Sequence, residues 1–255
     1  MVSPKLVFIV PYRDRVQHKQ FFTKYMEFIM EDYQKEDYEV FFIHQCDNRP
    51  FNRGAMKNLG FLAIKEKYPN EYKNMTFVFN DVDTLPYTKN LLPYETTHGV
   101  VKHFFGFDFA LGGIFSITGA DFETTNGFPN LWGWSQEDNM MQKRVNDTGL
   151  KIDRGVFFPI HNKNILQFAD SISKAISRSE IKDTLRGGYK FGLNSLHNVN
   201  MKHESEYINI YGFTSETDPA NRQYSQHNIA THGGKIPLNP KRGLVGSPMS
   251  KIRFF

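Results

Sequence analysis

Met75-Thr76-Phe77-Val78-Phe79-Asn80-Asp81-Val82-Asp83 opens as a short apolar run and closes on two carboxylates one residue apart. A continuous run of this length, rich in aromatic and β-branched side chains, is what a strand covered on both faces demands. Where such a strand emerges, paired acids can hold a hard divalent cation and a hydroxylated ligand together. They can equally be turn-formers, since Asn and Asp accept local backbone hydrogen bonds and Asn80-Asp81 would cap the strand. The surrounding sequence has to decide.

Upstream, Leu6 to Val10 reads as another buried strand, stopped by Pro11. Within Gln17 to Met30, Phe21, Phe22, Tyr25, Met26 and Ile29 recur at helical spacing, and Tyr38 to His44 follows as a strand. A second helix spans about Arg53 to Lys67, with Ala55, Met56, Leu59, Leu62 and Ala63 on one side, before the strand at Thr76 to Phe79. Strands alternating with helices predict an α/β fold with a Rossmann-like, mostly parallel central sheet flanked by helices.

Downstream, Gly112-Gly113-Ile114-Phe115-Ser116-Ile117 reads as a strand whose glycines admit a close approach of backbone or ligand. A helix runs from Ser135 to Asp147, with Glu137 and Asp138 in its first turn and Gly149 past its end. After residue 160 the pattern weakens: a polar stretch over 171–188, a strand at Tyr207 to Tyr211, then a Gly, Pro and Asn-rich segment from about Thr214. The expected organisation is a single domain over 1–213 and a C-terminal extension or tail over 214–255, more surface-bound or mobile than a second domain.

Of the 255 residues, 40% are hydrophobic and 15% aromatic, with 24 Phe and 12 Tyr, which is the make-up of a folded domain with a sizeable core. The net charge of +4 comes from cations scattered among acids, so nucleic-acid binding has no basic stripe to rest on, while an anionic small molecule is compatible with it. The single cysteine, Cys46, excludes an intrachain disulfide framework and a Cys-rich zinc site, and fits a reducing compartment. Leu6 to Val10 is far shorter than the roughly 20 residues that span a bilayer, so no membrane segment is expected.

In a parallel sheet, ligands bind beyond the carboxyl ends of the strands. Arg13, Asp47 to Arg53 and Asp81 to Asp83 all follow strand ends, so three loops should converge on one crevice. Arg13 and Arg15 could clamp a diphosphate while Tyr12 covers a base; taken alone, Pro11-Tyr12-Arg13-Asp14-Arg15 reads better as an exposed charged loop. Arg53, near a helix start, is open to the same two readings. Asn126-Gly127-Phe128-Pro129-Asn130-Leu131-Trp132-Gly133-Trp134-Ser135-Gln136-Glu137-Asp138 is harder to dismiss. Both tryptophans stand here, directly before an acidic pair, which points to a site lining more than to core filling with Glu137 and Asp138 as helix-start acids.

Val10-Pro11-Tyr12-Arg13-Asp14-Arg15, Phe51 to Phe61, Asp81-Val82-Asp83-Thr84-Leu85-Pro86, Gly112-Gly113 and Asn126 to Asp138 occur in the order and spacing of the β-1,4-galactosyltransferase family. The chain resembles that catalytic domain over roughly residues 6 to 165, with a weaker echo at Gly192 to Leu196, and five ordered motifs are far more specific than any one. The resemblance implies a divergent member with a GT-A fold, an inverting glycosyltransferase that uses Mn²⁺ and a UDP-sugar. It implies that Pro11, Tyr12, Arg13, Arg15, Phe51, Arg53, Asp81, Val82, Gly113 and Trp134 meet the donor. Asp83 would ligate the metal, Glu137 would hydrogen-bond sugar, and Asp138 would be the general base that takes the acceptor hydroxyl's proton.

Three departures carry expectations of their own. Ala110 stands where the family commonly has a tyrosine that restricts the pocket around the donor's C2 substituent, so UDP-GalNAc is expected beside UDP-galactose. Ser135-Gln136 replaces Gly-Gly and Asn139-Met140 follows the acidic pair, which alters the acceptor side. The downstream metal motif is not intact: His161 is the expected second ligand, and an ungapped alignment would instead place Asn164 and Gln167 there. The expected partners are a UDP-sugar donor and a carbohydrate acceptor. A complete chain of this kind would be cytoplasmic, and one trimmed of an N-terminal anchor Golgi-lumenal. The alternatives are a sugar-nucleotide or glycan-binding protein of the same fold that lost turnover and, less favoured, a nucleotidyltransferase.

Overall fold

The computed structural model describes residues 3–168, 173–187, 191–228 and 231. The strands, in chain order, are β1 (Leu6–Tyr12), β2 (Tyr38–Gln45), β3 (Thr76–Asn80), β4 (Thr84–Pro86), β5 (Val100–Gly106), β6 (Ile114–Thr118), β7 (Lys151–Asp153), β8 (Phe158–Pro159), β9 (Ile165–Gln167), β10 (Ser173–Ile176), β11 (His197–Glu204), β12 (Tyr207–Thr214) and β13 (Ser225–Asn228). The helices are α1 (Val16–Ile29), α2 (Arg53–Lys67), α3 (Gly119–Thr124), α4 (Glu137–Asp147) and α5 (Arg178–Gly187).

The large sheet has the order β11-β12-β2-β1-β3-β6-β5-β7, with β8 also on β5. β12, β2, β1 and β3 are parallel to one another, as the alternating strands and helices predict. At β6 the direction reverses: β6 is antiparallel to β3, and β5 to β6. The cause is chain length, because the seven-residue link 107–113 between β5 and β6 is too short for a crossover, which takes a dozen residues or more. The sheet is therefore mixed.

Side chains alternate across β1 and divide the core between the two faces. Val7 and Ile9 pack with Ala55, Leu59, Phe77 and Phe79 on the α2 side, whereas Leu6, Phe8, Val10 and Tyr12 pack with Phe22 and Met26 of α1. β1 does not stop at Pro11 but runs to Tyr12. Pro11 is tolerated because β3 pairs with β1 only as far as Ile9, so its missing N–H leaves no bond unmade on that side.

From β1 the chain crosses by α1 to β2 on one side, and from β2 by α2 to β3 on the other side of β1. β1 is thus the point where the winding of the sheet switches direction, and a crevice opens there at the strands' carboxyl ends. Two smaller sheets flank it, β4 with β9 and β10 with β13. The polar stretch over 171–188 supplies β10 and α5 where it is described; 169–172 and 188–190 lie outside the described residues. The segment expected to trail from 214 returns to the crevice through β13, and apart from Thr231 its remainder lies outside the described residues. Among the described residues no helix is long and apolar enough to cross a membrane.

Candidate active site

A cleft of about 590 Å³ opens at the carboxyl ends of β1, β2 and β3. Its floor comes from the three loops expected to converge: Pro11 at the end of β1 with Arg13, Asp14 and Arg15 after it, Asn48 to Phe51 with Arg53 after β2, and Asp81, Val82 and Asp83 after β3. Gly133, Trp134 and Glu137 form one wall. Ser173, Lys174, Ala175 and Tyr224, from and beside the β10–β13 pair, form the other.

α2 begins at this floor because Asn52 caps it, the Asn52 side chain accepting from the Ala55 N–H at 2.8 Å. Arg53 is the first helical residue and the hub of the site. Its Nε donates to Glu137 Oε1 at 3.0 Å, Nη1 to Asp81 Oδ2 at 3.0 Å, and Nη2 to Asp138 Oδ2 at 2.5 Å. One turn on, the buried Lys57 lies 3.3 Å from Asp138 Oδ1 and 3.8 Å from Asp81 Oδ1. Two cations therefore knit together three carboxylates contributed by β3 and α4.

The carboxylates differ in their proton affinity. Burial and the charge of Asp81 push Asp83 up to about 6, against the pull of Arg53 and Arg15. Burial also raises Glu137 despite Arg53. Burial works against ionisation of Asp138 too, but Arg53 and Lys57 outweigh it and hold this carboxyl below the usual range. Of Asp83, Glu137 and Asp138, only Asp138 stands in surroundings that favour its ionised form. Asp81 Oδ1 and Glu137 Oε2 are buried without a hydrogen-bond partner, so two acceptors stand ready for hydroxyl or amide donors.

Two glycines make these approaches possible. A Cβ on Gly112 would stand 2.4 Å from Asp138 Oδ2, so the strand-start glycine is there for the carboxylate. Gly133 has φ +80, and a Cβ there would meet the Ala175 carbonyl at 2.6 Å. The Gly113 carbonyl accepts from the Asp81 N–H at 3.1 Å, so Gly113 orients that acid without lining the cleft. His103 on β5 braces the same corner. Arg154 Nε donates to its Nδ1 at 3.0 Å, which leaves Nε2–H for the Phe105 and Gly112 carbonyls at 3.0 and 3.2 Å. Burial and Arg154 lower its pKa to about 4, so it stays neutral.

The segment from Asn126 to Trp134 is pinned to α2 by Asn58, which donates to Phe128 O at 2.7 Å and Asn130 Oδ1 at 2.9 Å and accepts from the Phe128 N–H at 2.8 Å. The echo motif docks on it as well, the Leu193 N–H reaching Asn126 O at 2.9 Å. The two tryptophans then part. Trp132 is core, stacked on Phe213 at 5.2 Å, with Arg49 over its ring at 4.5 Å and Nε1 donating to Thr217 O. Trp134 lies in the cleft, its N–H bound to Ala175 O at 2.7 Å and its ring stacked on His227.

Not every expected residue arrives: Asp138 does not line the cleft itself and meets it through Arg53, which does. Tyr12 points to the α1 side, edge-on to Phe42, His44 and Tyr207, because strand alternation sends it away from the face that Arg13 shares with Phe51. Ala110 is buried in the β5–β6 link and is not on the cleft wall. His161 occupies an exposed turn with φ +69, its N–H bound to Gln167 Oε1, and does not line the cleft; Asn164 and Gln167 are absent from it too. The chain beside Asp83 is Phe168, whose N–H donates to the Asp83 carbonyl at 2.9 Å. Among the described residues no group of three or more His, Cys, Asp or Glu forms a ready metal cage. Lys57, Lys174 and Tyr224 were not singled out by the sequence, and Arg49 entered only as part of the Asp47 to Arg53 loop. The helical register of Lys57, one turn after Arg53, was the available signal; Lys174 and Tyr224 had none.

Two adjoining family models match this geometry's sequence: the N-terminal region of glycosyl transferase group 7 over residues 2–94, and the N-terminal domain of galactosyltransferase over 95–164. The chain belongs to glycosyltransferase group 7. Within the group it is 32% identical over 164 residues to human β-1,4-galactosyltransferase 1, a stretch that is 60% of this chain and 40% of that protein. It is 31% identical over 160 residues to the xylosylprotein 4-β-galactosyltransferase of Caenorhabditis elegans, covering 59% and 53% of the two. The match thus spans less than two thirds of these relatives. The solved catalytic domain of Drosophila β-1,4-galactosyltransferase 7, in complex with xylobiose, superposes with a TM-score of 0.63 at 22% identity, over 85% of this chain and 96% of that one. The group 7 chain therefore has the GT-A fold. A mutant of the Drosophila enzyme was solved with manganese, UDP-Gal and xylobiose.

Proposed function

We propose that this group 7 protein is an inverting, Mn²⁺-dependent glycosyltransferase that moves galactose or N-acetylgalactosamine from UDP to a hydroxyl of a sugar acceptor. The observation that carries the reading is the pair of buried oxygens without a hydrogen-bond partner, Asp81 Oδ1 and Glu137 Oε2, set beside arginines in one cleft. Carboxylate acceptors suit sugar hydroxyls, and the guanidinium groups of Arg13, Arg15 and Arg53 suit a diphosphate. Arg13 also lies over the Phe51 ring at 5.3 Å, which sets a flat apolar face next to a cation where a uridine would lie.

Asp83, with its raised carboxyl beside Asp81, fits a hard divalent cation: oxygen donors suit it, and the cation relieves the repulsion that holds the proton. One or two carboxylates plus substrate phosphates can suffice for such a cation, so the lack of a cage among the described residues is no obstacle. A bound Mn²⁺ would supply charge stabilisation for the departing diphosphate. The chain's own residues would do the rest. Arg53 would turn from the carboxylates toward the diphosphate, Glu137 would hold the donor sugar, and Trp134 would cover it. Asp138 would take the proton as the acceptor oxygen bonds to the anomeric carbon and the bond to UDP breaks, a single displacement that inverts the centre. UDP-GalNAc is included on the family resemblance alone, in which Ala110 stands where a tyrosine is common; Ala110 itself is buried and does not line the cleft.

A screen of UDP-galactose, UDP-GalNAc, UDP-glucose and UDP-GlcNAc, scored for UDP release with Mn²⁺ and sugar acceptors, tests this. Release from UDP-galactose or UDP-GalNAc that needs Mn²⁺ supports it. Tight UDP binding that ignores Mn²⁺, survives Asp83→Ala and is accompanied by no release would replace it with a binding module.

A further inference from the structure

Lys57 is 1% exposed, an ammonium taken out of water in the second turn of α2. Lysines are almost never this buried unless paired, so the site holds it for a reason. Its ammonium lies 3.3 Å from Asp138 Oδ1 and 4.5 Å from the centre of the Phe128 ring, and it does not line the cleft. Arg53, the other cation on Asp138, does line the cleft and holds Oδ2, the oxygen that abuts Gly112.

These positions set a conflict. Arg53 cannot both meet a diphosphate and keep three carboxylates neutralised. Once it turns to the donor, Asp138 would sit half-buried beside Glu137 with a raised tendency to pick up a proton, and a protonated acid is no base. We propose that Lys57 is a positioning residue for the base: it holds Asp138 by Oδ1 and keeps it ionised whatever Arg53 is doing, leaving Oδ2 to take the acceptor's proton. No proton passes to Lys57. The acceptor O–H bond breaks, its proton goes to Oδ2, and the electron pair of the sugar–UDP bond leaves on the diphosphate. The other groups facing Asp138 do not substitute for Lys57: Glu137 is an acid on the same helix, Asp81 an acid after β3, and His103 on β5 is neutral near pH 7.

The inference rests on the glycosyltransferase reading for what the base does, but its electrostatic core can be tested without turnover. In Lys57→Met, a carbon-13 NMR titration of the Asp138 carboxyl in the ligand-free protein should show its midpoint raised by at least about one pH unit, the size of effect an opposite charge at this range exerts. The acid limb of the kcat against pH profile should move up in parallel, with donor KM changed less than about twofold, so activity lost at low pH returns at high pH. If wild-type protein transfers no sugar, the function reading fails and the titration alone still decides on Lys57. Should Lys57→Met not fold, Lys57→Gln keeps a hydrogen-bond donor without the charge and carries both measurements. An unmoved Asp138 midpoint, or a loss of kcat equal at every pH, would make Lys57 a packing residue and overturn the proposal.

Discussion

Replacing Gly112 with alanine is the most exacting probe of the acidic corner. The added Cβ would stand 2.4 Å from Asp138 Oδ2 and 2.7 Å from its Cγ. Non-bonded heavy atoms settle at about 3.5 Å or more, so the carboxylate must retreat by about 1 Å. That retreat disturbs a carboxylate whose two oxygens are already held by Arg53 and Lys57. A misplacement of about 1 Å in a catalytic group costs on the order of 100-fold in rate. Steady-state UDP release should therefore show kcat down about 100-fold. UDP binding by calorimetry should stay within about twofold, because Gly112 does not line the cleft. The chain should remain folded, since exchanging glycine for alanine shifts backbone entropy by less than about 1 kcal/mol. Turnover within threefold of wild type would refute the placement of Asp138 at the reacting atoms, and parallel loss of UDP binding would show that Gly112 serves the donor instead.

Asn58→Ala strips three buried hydrogen bonds from the Phe128–Asn130 loop and should cost about 3–5 kcal/mol, read as a lower urea midpoint; a loss under 1 kcal/mol would mean that the loop is held elsewhere. Glu180 is pushed up to about 7, chiefly by burial. Since its folded pKa lies above its unfolded value of about 4.3, the folded state binds the extra proton and stability falls as pH rises from about 4 to 7. Glu180→Gln should remove that loss, on the order of 3 kcal/mol above pH 7 and nothing below about pH 4, checked by thermal melts across pH; an unchanged pH dependence counts against it. Asp83→Ala should abolish any Mn²⁺ effect on UDP affinity measured by calorimetry while the arginine-held binding persists, and Mn²⁺ dependence that survives the change would move the metal elsewhere.

What could be read from the sequence was whatever repeats at short range. α2 lies at the residues its apolar spacing predicts, because cap, periodicity and the stop before Pro69 agree. The three loops converge as strand ends dictate. β5 escaped notice because His103 and Lys102 interrupt its apolar run, and His103 is buried only through the Phe105 and Gly112 carbonyls and Arg154. Tyr12 was read as a base cover because it stands next to Arg13, although neighbours on a strand face opposite ways. Lys57 was marked only by its place one turn after Arg53 on α2, since its partner lies 81 positions away in sequence. The second wall of the cleft comes from 173–175 and Tyr224, where no periodicity marks the chain and only tertiary pairing of β10 with β13 brings it in.

The measurement that bears most directly on the account compares wild-type protein with Asp138→Asn for UDP release from UDP-galactose and UDP-GalNAc with Mn²⁺ and a sugar acceptor, alongside UDP calorimetry. The account predicts Mn²⁺-dependent release by wild type, none by Asp138→Asn, and UDP binding retained by both. Wild-type protein that releases no UDP from any UDP-hexose, or Asp138→Asn turning over at the wild-type rate, would contradict it.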